Sequence, residues 1–135
     1  MPDLTFDRPF PALTSAQRYH LDVFGYVVIE NTLTSDETET IRDALYQLRE
    51  DLNQLEDPTE AGPRVRGSYF LTNKPQHHFM GHIVEVDPAI TAYATYPLLV
   101  AMSEELIGGE ARIVEMNAHI NRRDPGADFS KPPKF

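Results

Sequence analysis

The stretch Ala111-Arg-Ile-Val-Glu-Met-Asn-Ala-His-Ile-Asn121 constrains this chain more than any other. Val114, Met116, Ala118 and Ile120 recur at every second position, and Glu115, Asn117, His119 and Asn121 fill the places between them. Strand side chains alternate between faces, so this spacing predicts a long β-strand with one apolar and one polar face. Asp124-Pro-Gly126 then signals a turn, because proline presets φ and glycine accepts positive φ. The row of carboxylate, amide and imidazole groups suits either the wall of a cavity or a face that simply meets water.

Upstream, helix caps punctuate the chain. Thr14-Ser-Ala-Gln17 is a capping-box pattern with Leu13 placed as a staple, and Gly25 suits the position after the helix end, so a helix is expected from about 14 to 24. Tyr26-Val-Val-Ile29 is strongly β-prone and reads as a short strand. A second capping box, Thr34-Ser-Asp-Glu37, opens an amphipathic helix over about 35–56. Its apolar positions Ile41, Leu45, Leu48, Leu52 and Leu55 step by four, three, four and three, which suits packing on a sheet better than a coiled coil of so few heptads.

Asp57 to Pro63 form a loop, Gly67 to Thr72 read as a strand, and Asn73 to Gly81 read as irregular because Pro75 and Gly81 interrupt them. Asp87-Pro88 caps a further helix, which Pro97 divides into 88–95 and 97–107 before Gly108-Gly109. Residues 1–13 are Pro-rich and aperiodic and read as an N-terminal arm.

Composition sets limits. The 135 residues allow one domain, and a formal charge of −9 argues against a nucleic-acid partner. Without cysteine there is no disulfide framework and no thiolate chemistry. No apolar run approaches the length of a membrane span, and the N-terminus has no signal-peptide pattern, so the expected setting is cytoplasmic, with no membrane partner.

The chain also resembles a known family. Gln17-Arg-Tyr-His-Leu-Asp-Val-Phe-Gly-Tyr-Val-Val-Ile29 with Leu33-Thr-Ser-Asp-Glu37, then Tyr96-Pro-Leu-Leu-Val-Ala-Met-Ser-Glu-Glu-Leu-Ile-Gly108, then Asn117 to Pro125 with Lys131-Pro-Pro133, are similar in kind and order to the N-terminal part of the phytanoyl-CoA dioxygenase family. These are non-haem Fe(II)- and 2-oxoglutarate-dependent oxygenases that hydroxylate small organic substrates. The resemblance implies an α+β chain holding the N-terminal helices and first strands of a double-stranded β-helix (jelly-roll, cupin-like) fold. Residues 14–135 would be one domain, truncated before its metal motif and with the barrel incomplete.

In that family a His-x-Asp and a distant His hold the iron, a donor set that leaves positions open for co-substrate and O₂. The resemblance places His-x-Asp beyond Phe135, so this chain is expected to be inactive alone, with no catalytic residue and no metal ligand of its own. His20-Leu-Asp22 is a decoy, because residues two apart on a helix point about 200° apart.

The resemblance makes Asn121 the first candidate for binding 2-oxoglutarate, since an amide donates to a carboxylate without adding charge. Asn117 and His119 share its face by alternation and could line the same cavity, although each reads more readily as a hydrogen-bonded sheet residue. Ala118, on the opposite face, offers only backbone to such a site. His77, His78 and His82 read as a zinc cluster, a substrate-facing loop or a solvated loop, with Pro75, Gly81 and the lack of further ligands against the first. Lys74, Arg64 and Arg66 suit an anionic substrate or a plain charged surface, and Met102 reads as core.

Two other readings stay open: a complete small α+β protein that binds a ligand or partner without catalysis, and a degenerate family member that has lost its metal. An unfinished sheet exposes an edge and an apolar face, so the isolated chain is expected to be aggregation-prone or partly molten. Substrate and oligomeric state are not legible.

Overall fold

The computed structural model describes residues 11–126 and Ser130. The order of elements is α1 (Ser15–Phe24), α2 (Ser35–Asn53), β1 (Tyr69–Lys74), β2 (His77–Gly81), α3 (Pro88–Ala94), α4 (Pro97–Ile107) and β3 (Ala118–Asn121). The strands form one antiparallel sheet in the order β1-β2-β3. This is an α+β arrangement. Most of the N-terminal arm and the Lys131-Pro-Pro133 connector lie outside the described residues.

The helix starts follow from their caps. Thr14 and Thr34 each accept a hydrogen bond from the backbone three residues on, while Gln17 and Glu37 reach back to the cap N–H. Each box satisfies two of the amide groups that a helix start leaves unpaired. Asp87 accepts from the Ala89 N–H at 2.8 Å. Pro88 and Pro97 sit where a missing N–H costs nothing. Gly25 and Gly108 close α1 and α4 in the left-handed region, at φ 77° and 71°. Leu13 is buried, and its N–H and that of Ala12 both donate to Glu105 Oε2, tying the entry of α1 to α4.

Leu48 and Leu52 of α2 are fully buried and meet Phe70, Met80, Ala118 and Ile120 of the sheet and Ile83, Val86 and Ile90 around α3. Ile41, Leu45 and Leu55 pack at the margin of this core. The apolar stripe of the helix therefore covers one face of the sheet.

Four expectations are corrected. Tyr26–Ile29 forms no strand. Its β-branched residues favour extended backbone, but it pairs with none of the three strands. Tyr26 O instead accepts from His20 Nδ1 and Ile29 O from Thr32 Oγ1.

Asn73–Gly81 is ordered rather than irregular. Lys74 pairs with His77, so Pro75 and Gln76 make a two-residue hairpin turn. Proline is harmless there, and Gly81 stands at the strand end, where a Cβ would press on Leu71 Cδ1 at 3.2 Å. Both apparent breakers fall at element boundaries. A bulge between Phe70 and Thr72 leaves Leu71 exposed.

The long strand 111–121 shrinks to its last four residues. The ladder runs from His77↔Asn121 to Met80↔Ala118 and goes no further, because β2 ends at Gly81 and His82 turns the chain at φ 53°. The His82 N–H donates to the Asn117 side chain, and Ile83 N–H to Met116 O. Ala118 and Ile120 are buried while His119 and Asn121 are exposed, so the alternation holds within the ladder; outside it, Val114 is 87% exposed. Helix α2 also ends at Asn53 rather than 56, where the N–H groups of Gln54 and Leu55 tighten to carbonyls three residues back.

Candidate functional site

Among the described residues β3 is an edge strand of the sheet, and residues of α2 approach it. Between them lies a groove of about 360 Å³. His119 and Asn121 line it from the strand, and Thr38, Arg42, Leu45 and Tyr46 from the helix. The structure thus brings two of the three residues singled out for co-substrate binding to one groove.

It separates the third. Asn117 precedes the ladder, and its amide is engaged on both sides. Its Oδ1 accepts from the His82 N–H at 3.2 Å and its Nδ2 donates to Glu115 Oε1 at 2.8 Å. It braces the turn after β2 rather than facing the groove.

Across the ladder His77 stands opposite Asn121, and Phe79 opposite His119. Phe79 stacks on His119 at 4.0 Å between centroids. These partners escape a sequence reading that treats 73–81 as loop. The alternation is in the burial, with His78 and Met80 turned inward and His77 and Phe79 not.

The histidines therefore do not act as a cluster. His78 is buried, and its Nδ1 donates to Asn73 Oδ1 at 3.0 Å, while Asn73 Nδ2 donates to Asn53 Oδ1. His82 lies beyond the strand, its ring 5.6 Å from that of Tyr69. The spacing of His78 and His82 is not helical, so the pair expected of a zinc helix does not form. His20 and Asp22 lie in α1, with His20 bonded to Tyr26 O and Asp22 paired with Arg18. Among the described residues no three His, Cys, Asp or Glu side chains gather as a metal site.

The basic residues are largely spent on structure. Arg66 donates to Val86 O at 2.7 Å and pairs with Asp51, and Arg64 lies over the Tyr69 ring. Arg42 in the groove wall donates through Nε and Nη2 to Asp43, which raises its already high pKa. Buried Arg49 donates to Glu50 and leaves Nη1 without a partner.

Burial lowers the His78 pKa below its ordinary 6.5, helped by the nearby charges of Arg49 and Arg122. The unfolded chain then binds this proton more readily than the folded one. The resulting stability is complete above 6.5 and is lost as the pH falls through the folded value. Urea midpoints are expected to drop on acidification in the native chain, and His78→Gln should make that drop smaller. An equal drop in both would assign the slope to other groups.

The chain matches no family model, no curated protein and no solved structure.

Proposed function

We propose that this chain is the N-terminal part of a non-haem Fe(II)- and 2-oxoglutarate-dependent dioxygenase domain of the phytanoyl-CoA dioxygenase type. Such a domain is a cytoplasmic hydroxylase of a small organic substrate, with no nucleic-acid or membrane partner. In this reading the three strands are the first of a double-stranded β-helix, and α2 is the helix that backs it. The carrying observation is the pairing of Asn121 and His119 on one groove at an open strand edge, at the point where the resemblance puts co-substrate contacts. The net charge of −9 supports the partner assignment, and no helix of the described residues is long and apolar enough to cross a membrane.

The residues present do not fit the iron. No triad gathers among the described residues, and the two imidazoles that do meet, His77 and His119, have no carboxylate joined to them. For 2-oxoglutarate the groove supplies the Asn121 amide, the His119 ring and the Arg42 guanidinium, the last already holding Asp43. In this reading the chemistry of the parent is seated elsewhere, and the 135-residue chain alone is expected to be inactive.

Anaerobic Fe(II) with 2-oxoglutarate tests this through the visible charge-transfer band of the bound pair. The expected outcome is a band from the product of the whole reading frame and none from the 135-residue chain. A whole product that binds no iron would overturn it. A non-catalytic binding protein is the second reading, favoured by a groove of about 270 Å³ between α2 and α3, lined by Leu33, Ile41, Tyr93 and Tyr96 among others. Absence of the band in every form of the protein would favour it.

A further inference from the structure

The face of the sheet turned away from the core carries one contact that the core does not explain. His77 and His119 are diagonal neighbours on β2 and β3, yet Nε2 of His77 lies 3.0 Å from Nδ1 of His119. The ring centroids are 5.3 Å apart and the planes within 10° of parallel. Nitrogens this close with centroids this far mean that the rings lie edge to edge, nearly in one plane, with the two nitrogens facing. One ring donates its N–H and the other accepts. Phe79 lies flat against His119, with 16° between the planes, and restrains its ring. His119 is exposed and His77 half-buried, so solvent reaches the pair.

We propose that His77 and His119 together bind a divalent transition-metal ion, with Cu(II) preferred. Imidazole nitrogen is a ligand for copper, nickel and zinc. Metal–nitrogen distances of about 2.0–2.1 Å put two nitrogens on one ion roughly 3.0–3.4 Å apart. The observed 3.0 Å already lies in that range, so binding needs a tilt of the rings and no shift of the strands. The hydrogen between the rings moves, through solvent, to the far nitrogen of its own ring. A neutral pair therefore takes the ion without net loss of a proton, and water completes the coordination.

Two features set the selectivity. No third His, Cys, Asp or Glu joins the pair among the described residues, so no rigid cage overrides the intrinsic order in which Cu(II) binds more tightly than Ni(II) or Zn(II). With no oxygen ligand from a carboxylate, Mg(II) and Ca(II) are excluded. The site shares His119 with the groove offered to 2-oxoglutarate, but it rests on the His77–His119 contact and not on the dioxygenase reading.

Titration calorimetry of the untagged chain with Cu(II), Zn(II) and Mg(II) tests the site. The expected result is one Cu(II) per chain, held about tenfold or more tightly than Zn(II), and no heat with Mg(II). His77→Gln and His119→Gln should each weaken copper binding by about tenfold or more, while His20→Gln and His82→Gln leave it unchanged. In the unsubstituted chain, substoichiometric Cu(II) should broaden the ring-proton resonances of His77 and His119 first. Copper binding that survives either substitution at 77 or 119, or broadening that falls first on other histidines, would overturn the assignment.

Discussion

Replacing Leu48 by alanine is expected to cost about 2–5 kcal/mol, a large part of the stability of a domain this small. Leu48 is fully buried on α2, in the cluster that joins Leu52 to Phe70, Met80, Ala118 and Ile120. The truncation removes the apolar transfer term and leaves a hole that a sheet backed by one helix closes poorly. The thermal midpoint should fall by more than about 10 °C. Tyr46→Ala, on an exposed position of the same helix, is the comparison and should shift it far less. Equal melts for Leu48→Ala and the native chain would mean that α2 does not cover the sheet as described.

Gly62→Ala carries the second large effect, about 1–3 kcal/mol. A Cβ at Gly62 would fall on the carbonyl oxygen of Asp57, far inside contact distance, and backbone cannot swing aside as a side chain can. The loop it would disturb is tightly made. Asp57 Oδ1 accepts from both the N–H and the hydroxyl of Thr59, which holds its carboxyl below the usual range, and Gly62 N–H donates to Thr59 O. Pro58 O in turn accepts from Phe70 N–H at 2.7 Å, so the loop is anchored to the start of β1 and to the core. Gly109→Ala, where an added Cβ meets nothing within 4 Å, serves as the neutral comparison. A Gly62→Ala protein that melts like Gly109→Ala would show that the 57–62 turn is not held closed.

The helices were legible because their signals are local. Thr14 with Gln17, Thr34 with Glu37, and Asp87 with Pro88 each complete a cap within three residues, and Gly25 and Gly108 end helices by their own backbone freedom. Strands depend on a partner that is often far away in the chain. Tyr26–Ile29 has the composition of a strand and no ladder, whereas His77–Gly81, between two nominal breakers, has a ladder on each side. Tyr26 and Val28 are left 57% and 68% exposed, which makes this stretch the first place to look for association between chains.

The candidate site divides the same way. His119 and Asn121 share a face because a short alternation sets it. Their neighbours His77 and Phe79 required the register of a pairing with no local trace. Asn117 obeyed the same alternation in sequence, but the ladder had already peeled away at Ala118, and the His82 amide claimed its side chain.

The two seams of the sheet differ in reach. β1 and β2 are joined by Pro75 and Gln76, so their hairpin closes a minimal loop. β3 joins only after the chain has laid down α3 and α4. Loop-closure entropy makes such a seam slower to zip and earlier to open, since its few ladder bonds must hold a long excursion shut. His77 and His119 lie across that seam, 42 residues apart in sequence. An ion gripping both would act as a removable clasp on the last strand to dock, coupling metal supply to the rate at which the sheet comes undone.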